Sequence, residues 1–262
     1  MSTPFFSIII PTYNSELILN ETLDSILSQQ FEDFEILIMD GLSTDGTLSI
    51  AQSKKDNRIR IYSEKDKNIF DAMNKGLKLS SGEWIYFIGS DDTFFDNEVL
   101  GKVNKEILAE EVDIIYGNIM SKRFGGVYDG EFSAEKLYHQ NICHQAIFIK
   151  KDVFNRTGEF DIKYPYNADW DNNFKWFFNH KVEKKFVDLI VANYADGGKS
   201  SLARDVNFDN DKPFKYLKYS GKELSNVFKR NIYITIAIQQ KQSKKYFSFI
   251  ITKIKLLILD LL

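Results

Sequence analysis

Four short apolar runs, each followed by a polar cluster, constrain this chain more than any other feature. They are Phe6 to Ile10, Phe34 to Met39, Ile59 to Tyr62 and Trp84 to Ile88. Each has strand length and is rich in β-branched or aromatic side chains, as strands buried on both faces are. Pro11 is expected to stop the first. Helical patterns separate the runs. One is expected to be capped by Asn14 or Ser15 and to carry Leu17, Ile18, Leu23, Ile26 and Leu27 on one stripe. A second starts at Thr47 after the turn residues Ser43-Thr44-Asp45-Gly46. A third runs from Asp71 to Leu79 and closes at Ser80-Ser81-Gly82. This alternation predicts an α/β fold with a doubly wound, mostly parallel sheet and right-handed crossovers.

After Asp92 the alternation loosens. Val99 to Leu108 reads as a helix, Asp113 to Tyr116 as a strand and Gly125-Gly126 as a hairpin or loop. Ala146 to Ile149 reads as a strand with a helix starting near Lys151-Asp152. Asp169 to Phe178 is helical, Phe186 to Val191 a final strand, and Gly197 to Ser201 a loop. At 262 residues, with 44% apolar and 27% charged residues, the chain has the size and composition of one large globular domain with an appendage. A single cysteine, Cys143, excludes an intrachain disulfide or a cysteine-based zinc site and fits a reducing compartment. The start lacks a signal-peptide pattern, and no run is long enough to span a bilayer.

In open parallel sheets, ligands bind beyond the carboxyl ends of the strands. The polar clusters fall there: Pro11 to Asn14, Asp40-Gly41, Glu64 to Lys67, and Ser90-Asp91-Asp92. Adjacent carboxylates at the mouth of a buried strand raise each other's pKa unless a cation compensates. Asp91 and Asp92 therefore suggest a divalent cation, magnesium or manganese, bridged to a diphosphate. Tyr13 could stack on a base, and Asp40 could accept from a base or a ribose hydroxyl. No Gly-rich phosphate loop follows the first strand, so dehydrogenase and P-loop chemistry lack their cradles.

Three stretches together resemble glycosyltransferase family 2: Ser7 to Asn14, Ile38 to Thr47, and Gly82 to Asp92. Asp71-Ala72-Met73-Asn74-Lys75-Gly76 resembles a subgroup that builds bacterial surface polysaccharides. The resemblance implies a GT-A fold and a transferase that inverts the anomeric centre. It assigns Thr12, Tyr13 and Asp40 to the nucleoside, and Asp92 to the metal with Asp91 beside it. Asp66 and Asn74 would lie near the nucleotide or donor sugar. It places the general base in Asn167-Ala168-Asp169-Trp170-Asp171, with Asp169 first and Asp171 second. His144, Gln145 and Trp170 would form the wall of the acceptor or donor sugar. Lys199, in the Gly-rich loop, could counter the diphosphate charge.

The expected reaction moves a sugar from a nucleotide sugar, a UDP-sugar by preference, to a hydroxyl of a lipid-linked bacterial glycan. A sugar nucleotidyltransferase and a non-catalytic nucleotide-binding subunit are the alternatives. From Lys212 onward there are eleven Lys and Arg against Glu223 and Asp260, a surplus of nine positive charges on a chain of net charge −3. The sequence thus divides into a catalytic domain, 1–211, and a basic helical tail, 212–262. Tyr246, Phe249, Ile250, Ile254, Leu257, Ile258 and Leu261 share one face of that tail, which suits an anionic membrane surface rather than nucleic acid. A cytoplasmic protein, peripheral on the inner face of the cell membrane, is expected. Self-association is left open.

Overall fold

The computed structural model describes residues 3–128, 130–195, 204–221 and 223–260. The first four apolar runs form β1 (Phe6–Thr12), β2 (Phe34–Asp40), β3 (Ile59–Ser63) and β4 (Trp84–Phe87). They pair in parallel in the order β3-β2-β1-β4. Crossovers run through α1 (Leu19–Leu27), α2 (Thr47–Ser53) and α3 (Ile69–Leu79). Alternation within β1 feeds both faces of the sheet. Ile9 packs with Leu37, Met73 and Phe87 on one side, while Ile8 and Ile10 pack with Leu23, Ile36 and Tyr86 on the other. Each such fully buried side chain stabilises the fold by about 1.5–3 kcal/mol.

Two expectations at this end are corrected. Pro11 does not stop β1, which runs on to Thr12 opposite Asp40. The ladder with β4 has already ended at Ile9, so the proline sits where one neighbouring strand remains. Neither Asn14 nor Ser15 caps α1, whose N-cap is Ile18 with no side-chain cap bond. Asn14, at φ +50, is tied to the neighbouring loop: its N–H donates to Ser43 Oγ (2.8 Å) and its Oδ1 accepts from Thr44 N (2.9 Å). Ser15 Oγ meets Ser90 Oγ at 2.9 Å. Leu17 is left 88% exposed, and Leu19, Leu23 and Ile26 form the buried stripe.

The second half adds β5 (Thr93–Phe94), α4 (Val99–Ala109), β6 (Ile114–Ser121), β7 (Gly126–Tyr128) and α5 (Ala134–His139). Then come β8 (Ile147–Lys150), α6 (Lys151–Thr157), α7 (Ala168–Phe177) and β9 (Lys184–Asn193). The sheet continues β4-β8-β6-β9-β5, with β7 on β6. β8 is antiparallel to both β4 and β6, while β6 and β9 pair in parallel. The reversal of β8 brings its leading residues beside the carboxyl end of β4. Ala146, expected in this strand, closes the 3₁₀ turn His144–Ala146 that precedes it.

Three helices follow: α8 (Val206–Ser220), α9 (Asn226–Gln242) and α10 (Tyr246–Asp260). The expected boundary after residue 211 falls inside α8. Phe208 and Tyr216, on either side of it, both bury in the main core against Phe174. That boundary therefore does not separate α8 from the body, and Ile232 and Ile236 of α9 join the same core. Among the described residues, no helix is long and apolar enough to cross a membrane.

Candidate active site

Thr12, Asp40, Asp66 and the Asp91–Asp92 pair all stand at or just beyond the carboxyl ends of β1 to β4. Asp40 is buried, and its carboxylate accepts from Ser43 N (3.1 Å) and Ser63 Oγ (2.6 Å). Gly41 makes the close approach possible. A Cβ there would lie 3.3 Å from Asp66 Oδ2, 3.5 Å from the Tyr13 ring and 3.6 Å from Thr12 O. Residues of three successive loops thus converge on one backbone position. Tyr13 is half exposed, which suits a stacking face, and buried Thr12 Oγ1 has no protein hydrogen-bond partner. Burial raises the pKa of Asp66, against the opposing effect of Lys75, whose Nζ lies 2.8 Å from Oδ1.

The carboxylates of Asp91 and Asp92 meet over Gly89, where a Cβ would come within 2.7 Å of Asp91 Oδ1 and 2.6 Å of Asp92 Oδ2. Asp92 is nearly inaccessible. Its Oδ2 accepts from Gln145 Nε2 (2.8 Å) and Gly89 N (3.2 Å), and its Oδ1 from Ala195 N (2.8 Å). Burial, then the neighbouring Asp91 charge, raises its pKa to about 6. Burial raises Asp91 as well, and Asp91 is the more open of the two.

Asp169 begins α7 and is 8% exposed. Its Oδ1 accepts from Trp170 N (2.8 Å) and its Oδ2 from Asn141 Nδ2 (2.9 Å). His144 Nδ1 stands 3.4 Å from that Oδ2, while buried His144 Nε2 has no protein partner. A charge on the His144 ring would lower the pKa of both Asp91 and Asp92. Consecutive residues, His144 and Gln145, therefore address the two carboxylate centres. Asp171 faces away, because two residues along a helix turn the side chain to the opposite face. It is wholly buried between Lys215 Nζ (2.6 Å) and Lys175 Nζ (3.2 Å). Both its oxygens face lysines in the interior, whereas Asp169 stands beside His144.

Residues 7–167 match the family model described as Glycosyl transferase family 2. The chain belongs to glycosyltransferase family 2. It is 37% identical over 214 residues to a PGL/p-HBAD biosynthesis glycosyltransferase of Mycobacterium tuberculosis, covering 79% of this chain and 84% of the relative. It is 25% identical over 241 residues to the glycosyltransferase GlyG of Streptococcus pneumoniae, covering 85% and 73%. Among experimental structures, S. aureus TarS 1-349 in complex with UDP-GlcNAc superposes at a TM-score of 0.70 with 21% identity, over 90% of this chain and 72% of that one. The mannosyltransferase PcManGT from Pyrobaculum calidifontis, in complex with GDP-Man and Mn2+, gives 0.58 with 14% identity, over 98% and 88%. These likenesses give this glycosyltransferase the GT-A fold expected from its sequence.

Within the glycosyltransferase, several expected donor or acceptor contacts have partners inside the protein. Gln145 is buried, its Nε2 holds Asp92, and its backbone oxygen accepts from Tyr86 OH (2.9 Å). Trp170 Nε1 donates to Leu137 O (2.8 Å), and Lys212 Nζ covers its ring at 3.8 Å. Asn74 spends its amide on the backbone of Phe160, donating to O (2.9 Å) and accepting from N (3.0 Å). Together with Asn68 Nδ2 to Ile162 O (2.9 Å) and Lys78 to Glu159 (3.1 Å), it pins α3 to the loop that leads into α7. Lys199 lies outside the described residues. Sequence reasoning missed Asn141, Ser63 and the Ala195 N–H, whose partners are too remote in sequence for any local pattern to mark them. Lys75 lay in a motif already singled out, without a role.

The residues present fit a divalent cation. Two carboxylates converge over a glycine, with pKa values raised by burial, and oxygen donors suit magnesium or manganese. Among the described residues no third His, Cys, Asp or Glu joins them, so diphosphate oxygens and water would complete the shell. Asp91 is the better placed ligand, since Asp92 already accepts from three protein donors.

Proposed function

We propose that this glycosyltransferase moves one sugar, with inversion, from a UDP-sugar to a hydroxyl of a growing, lipid-linked bacterial glycan. The observation that carries the reading is the pairing of adjacent residues with the two acidic centres: Gln145 on Asp92 and His144 on Asp169. It supports Asp169 as the base for the acceptor and the Asp91–Asp92 pair as the site for the diphosphate. The nucleoside lies along Tyr13, Asp40 and Asp66. Asp169 takes the proton of the acceptor hydroxyl as its oxygen bonds to the anomeric carbon and the bond to the diphosphate breaks. His144 Nδ1 and Asn141 Nδ2 orient that carboxylate through the same oxygen, Oδ2, and the Trp170 N–H holds Oδ1. A divalent cation at Asp91 and Asp92, when bound, supplies positive charge to the departing diphosphate. The UDP-GlcNAc complex of TarS supports the choice of nucleotide.

Calorimetric titration of UDP, GDP and dTDP, each with and without Mn²⁺, tests the site. Metal-dependent binding of UDP that Asp91→Ala removes is the expected result. Metal-dependent binding of GDP or dTDP alone would change the donor. No metal-dependent binding of any nucleotide would sink the catalytic reading and favour a non-catalytic subunit.

A further inference from the structure

The exposed side of α10 is a surface feature that glycosyl transfer does not use. Thr252 and Leu256 turn inward against α9, and Thr252 Oγ1 bonds Gln240 Oε1 at 2.8 Å. The opposite side carries Tyr246, Ile250, Ile254, Leu257 and Ile258, between 52% and 64% exposed. Their spacing puts them on one face. An apolar strip of this kind is uncommon on a soluble surface without a partner.

The charges around it decide the kind of partner. Lys253 and Lys255 fall on either side of the strip. Their ammonium groups lie 5.7 Å from the Phe249 ring and 5.6 Å from the Tyr233 ring. Lys241, Lys244 and Lys245 crowd the turn between α9 and α10. Among the described residues none of these five lysines has a carboxylate partner, whereas Lys75, Lys102, Lys163, Lys175, Lys185 and Lys215 in the body and α8 are all ion-paired. A groove of about 390 Å³ runs beside the strip between α8, α9 and α10. Phe214, Leu217 and Ile251 line it, and Lys218 and Lys255 stand along it. Apolar side chains flanked by unpaired ammonium groups match the boundary between acyl chains and acidic headgroups. A second copy of this chain would set lysine against lysine across a two-fold axis.

We propose that α10 and the adjoining groove seat the protein on an anionic lipid bilayer. The strip enters the headgroup–acyl boundary, and the lysines at its edges and at the turn meet lipid phosphates. This contact is independent of the transfer reaction and fails or stands on its own measurement.

The test is flotation of the full chain with vesicles of phosphatidylcholine and phosphatidylglycerol, compared with phosphatidylcholine alone. Binding should be at least about tenfold tighter on the acidic vesicles, given the contribution of each lysine near such a surface. Ile254→Glu with Leu257→Glu should abolish it. Lys244→Glu, Lys253→Glu and Lys255→Glu together should reduce it by at least about tenfold. All variants are soluble-face changes, and UDP binding checks that the body is intact. No binding to acidic vesicles, or unchanged binding by either variant, overturns the proposal. A lipid-free dimer in sedimentation that Leu257→Glu dissociates also overturns it and assigns the strip to a second copy.

Discussion

Gln145 Nε2 donates to Asp92 Oδ2 at 2.8 Å across 53 positions of sequence. The same residue receives the Tyr86 hydroxyl on its backbone oxygen, so β4 and the turn before β8 are locked together at the acidic pair. Gln145→Leu should leave the fold intact and remove one of the two donors on Asp92 Oδ2. Loss of a residue that orients a metal ligand typically costs about 10–100-fold in metal affinity. Calorimetry should show metal-dependent UDP affinity falling in that range, with metal-independent binding unchanged.

Asp169 and Asp171 should separate cleanly. Asp169→Asn should lower transfer by at least about a hundredfold while sparing UDP affinity, as loss of a general base does. Asp171→Asn removes a charge shared by Lys175 and Lys215 in the interior. It should cost about 3–5 kcal/mol of stability, as breaking a buried pair does. Urea unfolding and initial rates on both variants check this.

Nucleotide binding through the cation should depend on pH. Asp92 is raised to about 6 by burial and by Asp91. Below that value the metal competes with a proton on the carboxylate, so metal-dependent affinity should fall as pH drops through 6 and level off above it. For stability the sign is opposite. The folded state holds its proton up to about 6 and the unfolded state only to the ordinary value, so this group's contribution declines as pH rises between them. Titrations of UDP with Mn²⁺ at several pH values read the first effect.

Lys212 carries a stability cost. Burial lowers its pKa to about 8, and its ammonium rests over the Trp170 and Tyr138 rings. The unfolded chain keeps the proton to higher pH, so stability should rise as pH climbs above 8 and the buried charge is lost. Lys212→Met keeps the stem and removes the charge. It should stabilise the protein at neutral pH by roughly 1–3 kcal/mol, less whatever the ring contacts supplied. The difference should vanish above the lysine's ordinary pKa. Thermal unfolding of both proteins across pH checks it.

Periodicity revealed the parallel half of the sheet because buried strands and amphipathic helices have distinct patterns, and Phe6, Phe34 and Trp84 open their strands as expected. The direction of β8 was not legible, since an apolar run such as Ile147 to Ile149 reads the same either way. Asp40, Asp91 and Asp92 stood out as candidates because carboxylates at the mouths of buried strands are costly, and Asp169 only through the family resemblance. Asp171 could not be told from Asp169 until the helix phase was known and Lys215, 44 positions away, was seen beside it. The protein partners of Asn74 and Gln145 were hidden for one reason. A buried amide satisfied by a distant backbone or carboxylate looks the same in sequence as one waiting for a ligand.

The contacts from Asn68, Asn74 and Lys78 to the loop at 159–162 give α3 a further meaning. Its Lys75 side chain holds Asp66 on the nucleotide side, while the loop it grips leads directly into Asp169. The helix acts as a spacer block between two halves of the machine. Wear at those pins would leave the nucleotide and the proton acceptor each intact but out of register, and turnover would suffer while both parts still tested sound.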